Sequence, residues 1–193
     1  MTTPATMLAP VIDADTYLDN VTACDHVVHL YERDDVFLDT LEGFVRGGFR
    51  GGETVVVIAT PAHVYSLEHR LRMAGCSLNE LRARGEYVAL DAAQTLARFT
   101  VDGVPDESRF IGVIDSLLDE VQASGRRARA FGEMVALLWA EGNREGARRL
   151  EQMWNRVCHE RGLSLLCAYP RTKAESIASF REVCSLHSHV IAA

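Results

Sequence analysis

Lysine is almost missing from this chain. Of 193 residues only Lys173 is a lysine, and Ala174 follows it. A Walker-type phosphate loop needs glycines whose N–H groups close on phosphate and a Lys-Ser/Thr pair for the outer phosphates and Mg²⁺. No other lysine exists to supply one. Cysteine is scarce as well: Cys24, Cys76, Cys158, Cys167 and Cys184 make an odd five with no CxxC spacing. That usage suits reduced thiols acting as small core residues, so neither disulfides nor a metal are expected. GxSxG and Cys-centred nucleophile motifs are missing too, which argues against covalent catalysis. No apolar run approaches the ~20 residues that cross a bilayer. The start, MTTPATMLAPVIDAD, lacks the basic and apolar regions of a secretion signal, so a cytoplasmic location is expected. Positive charge is in deficit, at 20 Lys+Arg against 27 Asp+Glu, a net −7. That balance argues against nucleic-acid binding, and the clusters Arg126, Arg127, Arg129 and Arg144, Arg148, Arg149, Arg156 read as solvated faces.

What is present is a regular alternation of strands and helices. Residues 1–20 read as a tail or arm, and 21–193 as a single domain. Val27 to Tyr31 is a strand, followed by a helix with Phe37, Leu38, Leu41, Phe44 and Val45 on one face and a stop at Gly47-Gly48. Thr54 to Ala59 is a β-branched run with no polar alternation, as in a strand buried on both faces, and reads as the central strand. Thr60 then caps, and Pro61 begins, a helix that reaches Gly75. This is a strand-turn-helix frame for a phosphate loop, but its turn, ATPAHVYS, has neither glycine nor lysine. Ser77 to Arg84 is a short helix, Tyr87 to Leu90 a strand, and Asp91 caps Ala92 to Phe99.

The segment IGVIDS imitates a Walker B strand. Phe110, Ile111, Ile114, Leu117, Leu118 and Val121 nevertheless keep helical spacing, which makes Asp115 an exposed helix residue. Ala128 to Glu133 is a strand leading into Met134 to Glu141. Asn143 caps a long helix ending near Arg161, and Ser164 to Tyr169 is a buried strand. Thr172 and Glu175 form a capping box for a last helix through Ile177, Phe180, Val183, Cys184 and His187. The pattern predicts an α/β fold in three layers, a mostly parallel sheet with helices on both faces.

In such sheets the ligand crevice lies beyond the carboxyl ends of the strands. His29, Tyr31, Thr60, His63, Asp91, Glu133 and Tyr169 are placed there. Asp91 is most simply a helix cap, and the two tyrosines are as compatible with rim positions in the core as with ligand contact. Glu133 stands between an apolar strand and MVALLW, where a carboxylate is costly without a partner or a proton; it is an N-cap or a ligand residue. The histidines do not form a metal motif. His26 and His29 point to opposite faces of a strand, and His187 and His189 diverge on a helix. Cys184 and His187 can share a face with Cys167 near, and read as core.

The stretches HVVHLYERDDVFLDTLEGFVRGGFRGGETVVVIAT, LRMAGCSLNELRARGEYVALDA, RARAFGEMVALLW, LCAYP and a terminal HSHVI occur in order and resemble the MEDS domain, the methanogen/methylotroph DcmR-type sensory domain, over about residues 24 to 193. The resemblance implies a RecA/KaiC-like fold with its phosphate loop degenerated. It also implies a small-molecule sensor, with hydrocarbon derivatives as candidate ligands, that works beside histidine kinases or other regulators. His26, Tyr31, Glu133, Trp139, Cys167, Tyr169 and His187 would be its characteristic residues. The expected function is non-enzymatic: a largely apolar ligand held at the carboxyl edge, with no cofactor and no metal. Tyr31, Glu133 and Tyr169 would converge from three strands, joined by Trp139 and His187 from adjoining helices. A regulatory protein, such as a histidine kinase or a transcription regulator, would receive the signal, and a homodimer is left open. The alternatives are a docking or dimerisation module on a degenerate ATPase fold, and a nucleotide binder without hydrolysis.

Overall fold

The computed structural model describes residues 9–19, 21–172 and 180–192. In chain order the elements are β1 (Val11–Ile12), α1 (Ala14–Asp19), β2 (His26–Tyr31), α2 (Asp34–Arg50), β3 (Thr54–Ala59), α3 (Pro61–Met73), α4 (Leu78–Ala83), β4 (Tyr87–Asp91) and α5 (Ala92–Ala97). They continue with β5 (Thr100–Val101), β6 (Val104–Pro105), α6 (Glu107–Gln122), β7 (Ala128–Gly132), α7 (Met134–Ala140), α8 (Arg144–Arg161), β8 (Ser164–Pro170), α9 (Arg181–Cys184) and β9 (His189–Ala192).

Seven strands form one parallel sheet in the order β1-β9-β2-β8-β7-β3-β4. Side chains alternate across it. On β2, Val28 and Leu30 join a core with α5 to α9, while Val27 and Tyr31 join a second core with α1 to α4. The outward half of the winding therefore puts its helices on one face and the return half on the other. The strand pairs β2/β8 and β7/β3 are neighbours whose following helices lie on opposite faces, and a crevice opens at the carboxyl ends of such pairs.

Local chemistry explains most boundaries. Thr60 accepts the His63 N–H, Asp91 that of Gln94, Asp106 that of Arg109 and Asn143 that of Gly146, each at a helix start. Gly162, at φ 64°, ends α8 in the left-handed conformation.

Several sequence expectations are corrected. Thr54–Ala59 is second from the sheet edge, not central; its unbroken apolarity reports burial of both faces, not rank in the strand order. Gly47-Gly48 does not stop α2, which runs on to Arg50. A Cβ on Gly48 would lie 2.6 Å from Val55 Cγ2 and 3.1 Å from Arg129 Cδ, so this glycine permits close approach of helix to sheet.

The segment read as an N-terminal arm is, over residues 9 to 19, part of the domain. Val11 and Ile12 pair with Val190 and Ile191, and Tyr17 is buried against Phe44 with ring centroids 6.2 Å apart. HSHVI does not close a helix, because β9 begins at His189. The capping-box partner Glu175 and the helix position Ile177 lie outside the described residues. Asp115 is half-buried and paired with Arg161 at 3.0 Å instead of standing free on α6. The β5/β6 hairpin, not foreseen, turns on Asp102 and Gly103 at φ 49° and 77°, the Asp-Gly turn of a two-residue hairpin.

Candidate functional site

Two polar clusters sit on opposite faces of the sheet. The first is built at the β7/β3 crevice. Gly132 ends β7, and the Glu133 N–H then donates to Ile58 O at 2.9 Å, which fixes the carboxylate over the start of α3. Its Oε2 accepts the Thr60 N–H at 2.7 Å, and its Oε1 lies 2.8 Å from His63 Nδ1. The side chain does not cap its own helix α7. The bond to Glu133 holds His63 above its usual imidazole value, although burial works the other way. Burial, and then the charges of Glu133 and Asp34, push the Tyr31 phenol well up. Phe37 forms the floor, stacked on Tyr31 at 4.7 Å and touching His63 at 5.0 Å and Phe131 at 5.5 Å.

The second cluster lies under the other face, around Glu151 of α8. Glu151 is fully buried. Its Oε1 accepts the Tyr169 hydroxyl at 2.6 Å, and its Oε2 lies 3.4 Å from Cys167 Sγ and 3.2 Å from His26 Nε2. His187 Nε2 is 3.4 Å from the same oxygen without making a hydrogen bond. The two imidazoles are 4.1 Å apart at their centroids. Burial would raise the Glu151 carboxyl, but the facing His187 and His26 outweigh it and hold it below the usual range. Burial, then His187, lowers His26, while burial and the neighbouring Glu151 push Cys167 and Tyr169 far up. Trp139 roofs this side, 5.3 Å from the Tyr169 ring and 5.1 Å from Phe180, with the Arg144 guanidinium over it at 3.3 Å.

A family model for the MEDS domain, the methanogen/methylotroph, DcmR sensory domain, matches residues 25–188. The chain belongs to the MEDS family. It is thereby placed among sensory domains. No curated protein sequence matches it. Its structure is similar to the crystal structure of a KaiC-like protein from the hyperthermophilic archaeon Pyrococcus horikoshii OT3, with a TM-score of 0.61 at 15% identity, over 96% of this chain and 80% of the other. At that identity the likeness establishes the RecA/KaiC-like fold alone.

Within this MEDS domain the expected site residues divide. Tyr31 and Glu133 meet at the first cluster; His26, Cys167, Tyr169 and His187 meet at the second, with Trp139 at its margin. Convergence of Tyr31, Glu133 and Tyr169 in one crevice is corrected: Tyr31 ends β2 facing α2, whereas Tyr169 faces α8, and the sheet separates them. His187 lies not on a helix but in the turn between α9 and β9. Glu151 and Asn155 were missed. Glu151 lies four residues after Ala147 and three before Trp154, inside the apolar stripe of α8, and a lone acid there was the available signal.

Proposed function

We propose that this MEDS domain is a non-enzymatic cytoplasmic sensor. It would hold a small, largely apolar ligand at the β7/β3 crevice and pass the change to a regulatory protein such as a histidine kinase or a transcription regulator. The observation that carries the reading is the Glu133 carboxylate at the start of α3, bonded to the Thr60 N–H and His63 above the aromatic floor of Phe37. A few convergent polar groups over aromatic rings suit an apolar molecule with one polar handle. That handle would exchange with His63 or Thr60 for the carboxylate. Nucleotide fits poorly: a second helix start at this edge, α2, carries Asp34 and Asp35 in its first turn, and two carboxylates repel phosphate. Entry of a ligand would release Glu133 from α3, so the position of α3 would carry the signal.

The test is native mass spectrometry of protein purified from its own host, wild type against Glu133→Gln. A small molecule retained by the wild type and lost by a folded Glu133→Gln is expected, while Tyr169→Phe, on the other face, keeps it. Retention by Glu133→Gln together with loss by Tyr169→Phe would move the site to the opposite face.

A further inference from the structure

We propose that His26, Glu151, Cys167 and His187 form a four-coordinate binding site for a divalent transition-metal ion of the zinc class. Their donor atoms all lie within 4.8 Å of one another and the four residues are buried. The separations bearing on the argument are 3.2 Å for His26 Nε2 to Glu151 Oε2 and 3.4 Å for His26 Nε2 to Cys167 Sγ. Glu151 Oε2 is likewise 3.4 Å from Cys167 Sγ and from His187 Nε2. Bonds of about 2.0 to 2.3 Å in a tetrahedron give donor-to-donor edges of about 3.3 to 3.8 Å. The cluster therefore already has nearly the size of a filled site.

Hydrogen bonding behind the cluster favours a metal site over an ordinary buried network. Asn155 Nδ2 donates to Leu186 O at 2.6 Å, which leaves Asn155 Oδ1 as an acceptor for His26 Nδ1 at 3.0 Å. His187 Nδ1 lies 2.7 Å from Val183 O and must donate there. Both imidazoles thus carry their proton on Nδ1, and in the neutral form each aims an Nε2 lone pair at Glu151. The Cys167 thiol can donate to this carboxylate, but the two neutral imidazole lone pairs that face it are repelled unless something positive, a further ring proton or a metal ion, lies between. Among the described residues Glu151 has no Arg or Lys partner; its ion pairs are the two histidines alone. His187 Nε2 has no hydrogen-bond partner although it is buried. Outer partners that lock the histidine tautomer and orient a ligating carboxylate, as Asn155, Val183 O and the Tyr169 hydroxyl do here, are the usual surroundings of a metal.

Charge balances as well. On binding, the Cys167 S–H bond breaks, its electron pair goes to the metal and its proton leaves to solvent. One divalent cation with one thiolate, one carboxylate and two neutral imidazoles has no net charge, which a buried core accepts. With four protein donors the site is closed. Its role is to tie β2, β8, α8 and the turn before β9 together. This cluster stands apart from the proposed ligand crevice, which lies across the sheet.

The test is a titration of the chelator-stripped full chain with Co²⁺, followed by Zn²⁺. One equivalent of Co²⁺ is expected to give the visible bands of a tetrahedral site and a thiolate-to-cobalt charge-transfer band, both erased by Zn²⁺. Cys167→Ser should lose the charge-transfer band, and His69→Ala, an exposed histidine, should change nothing. Tyr169→Phe keeps all four donors and should keep the band while weakening binding by about tenfold. This variant decides the matter if Cys167→Ser does not fold. Sub-stoichiometric or six-coordinate cobalt in the wild type, or a charge-transfer band unchanged in folded Cys167→Ser, would overturn the proposal.

Discussion

His29 shows how one residue can couple stability to pH without taking part in binding. It is fully buried, its ring nitrogens have no hydrogen-bond partner, and its nearest rings are Tyr31 at 5.8 Å and Phe37 at 6.4 Å. Burial pushes its imidazole down to about 4 from 6.5. The unfolded chain thus takes up a proton below about pH 6.5 that the folded chain refuses until about pH 4. Stability from this group is complete above that window and falls as pH drops through it, by up to about 3 kcal/mol. His29→Leu should be neutral or stabilising at pH 7, because it removes a buried polar group with no partner. Urea midpoints of the two proteins should separate further as the solution is acidified from about pH 6.5 towards about pH 4. A separation independent of pH would assign His29 another role. The sequence placed His29 on a strand but could not tell whether the ring finds a partner, because that depends on which side chains of α2 arrive opposite it.

At the scale of elements, glycine was the least legible residue. Gly48 and Gly112 both sit inside helices, and neither has a positive φ. Gly48 faces Val55 Cγ2 and Arg129, whereas a Cβ at Gly112 would meet nothing within 4 Å. Gly48→Ala should destabilise by about 1 to 3 kcal/mol through overpacking. Gly112→Ala should stabilise by about 0.5 to 1 kcal/mol through helix propensity alone. Thermal or urea unfolding of the pair checks both signs, and two shifts of the same sign would refute the packing argument. Three helix starts, by contrast, were readable because Thr60, Asp91 and Asn143 act locally. Asp115 and β9 were not. The ion pair of Asp115 comes from Arg161 on another helix, and His189 to Ala192 becomes a strand only because β1 and β2 flank it. The site was legible in part for the same reason: Cys167 and His26 could be named singly, but their meeting at Glu151 depends on the register of β2 against β8 and on the face that α8 turns inward.

For the whole molecule, a RecA/KaiC-like fold carries a β3–α3 turn with neither glycine nor lysine. Phosphoryl transfer rests almost wholly on positioning and on neutralising the phosphates. Here the chain has one lysine, the start of α3 at the carboxyl edge holds Glu133, and the start of α2 presents Asp34 and Asp35. Pure protein should release no phosphate from ATP or GTP with Mg²⁺. Release abolished by Glu133→Gln would contradict the sensor reading.

The strand order β1-β9-β2 also sets a timetable. Within the sheet β1 touches only β9, and Val11 finds Val190 across nearly the full length of the chain. A ribosome that has made everything up to β8 has produced a sheet with β2 exposed at its edge, and β1 waiting for a neighbour not yet synthesised. Such an open edge invites pairing with other chains. The last strand to emerge closes that edge and in the same step gives β1 its place, so the two ends of the described fold are secured together and late.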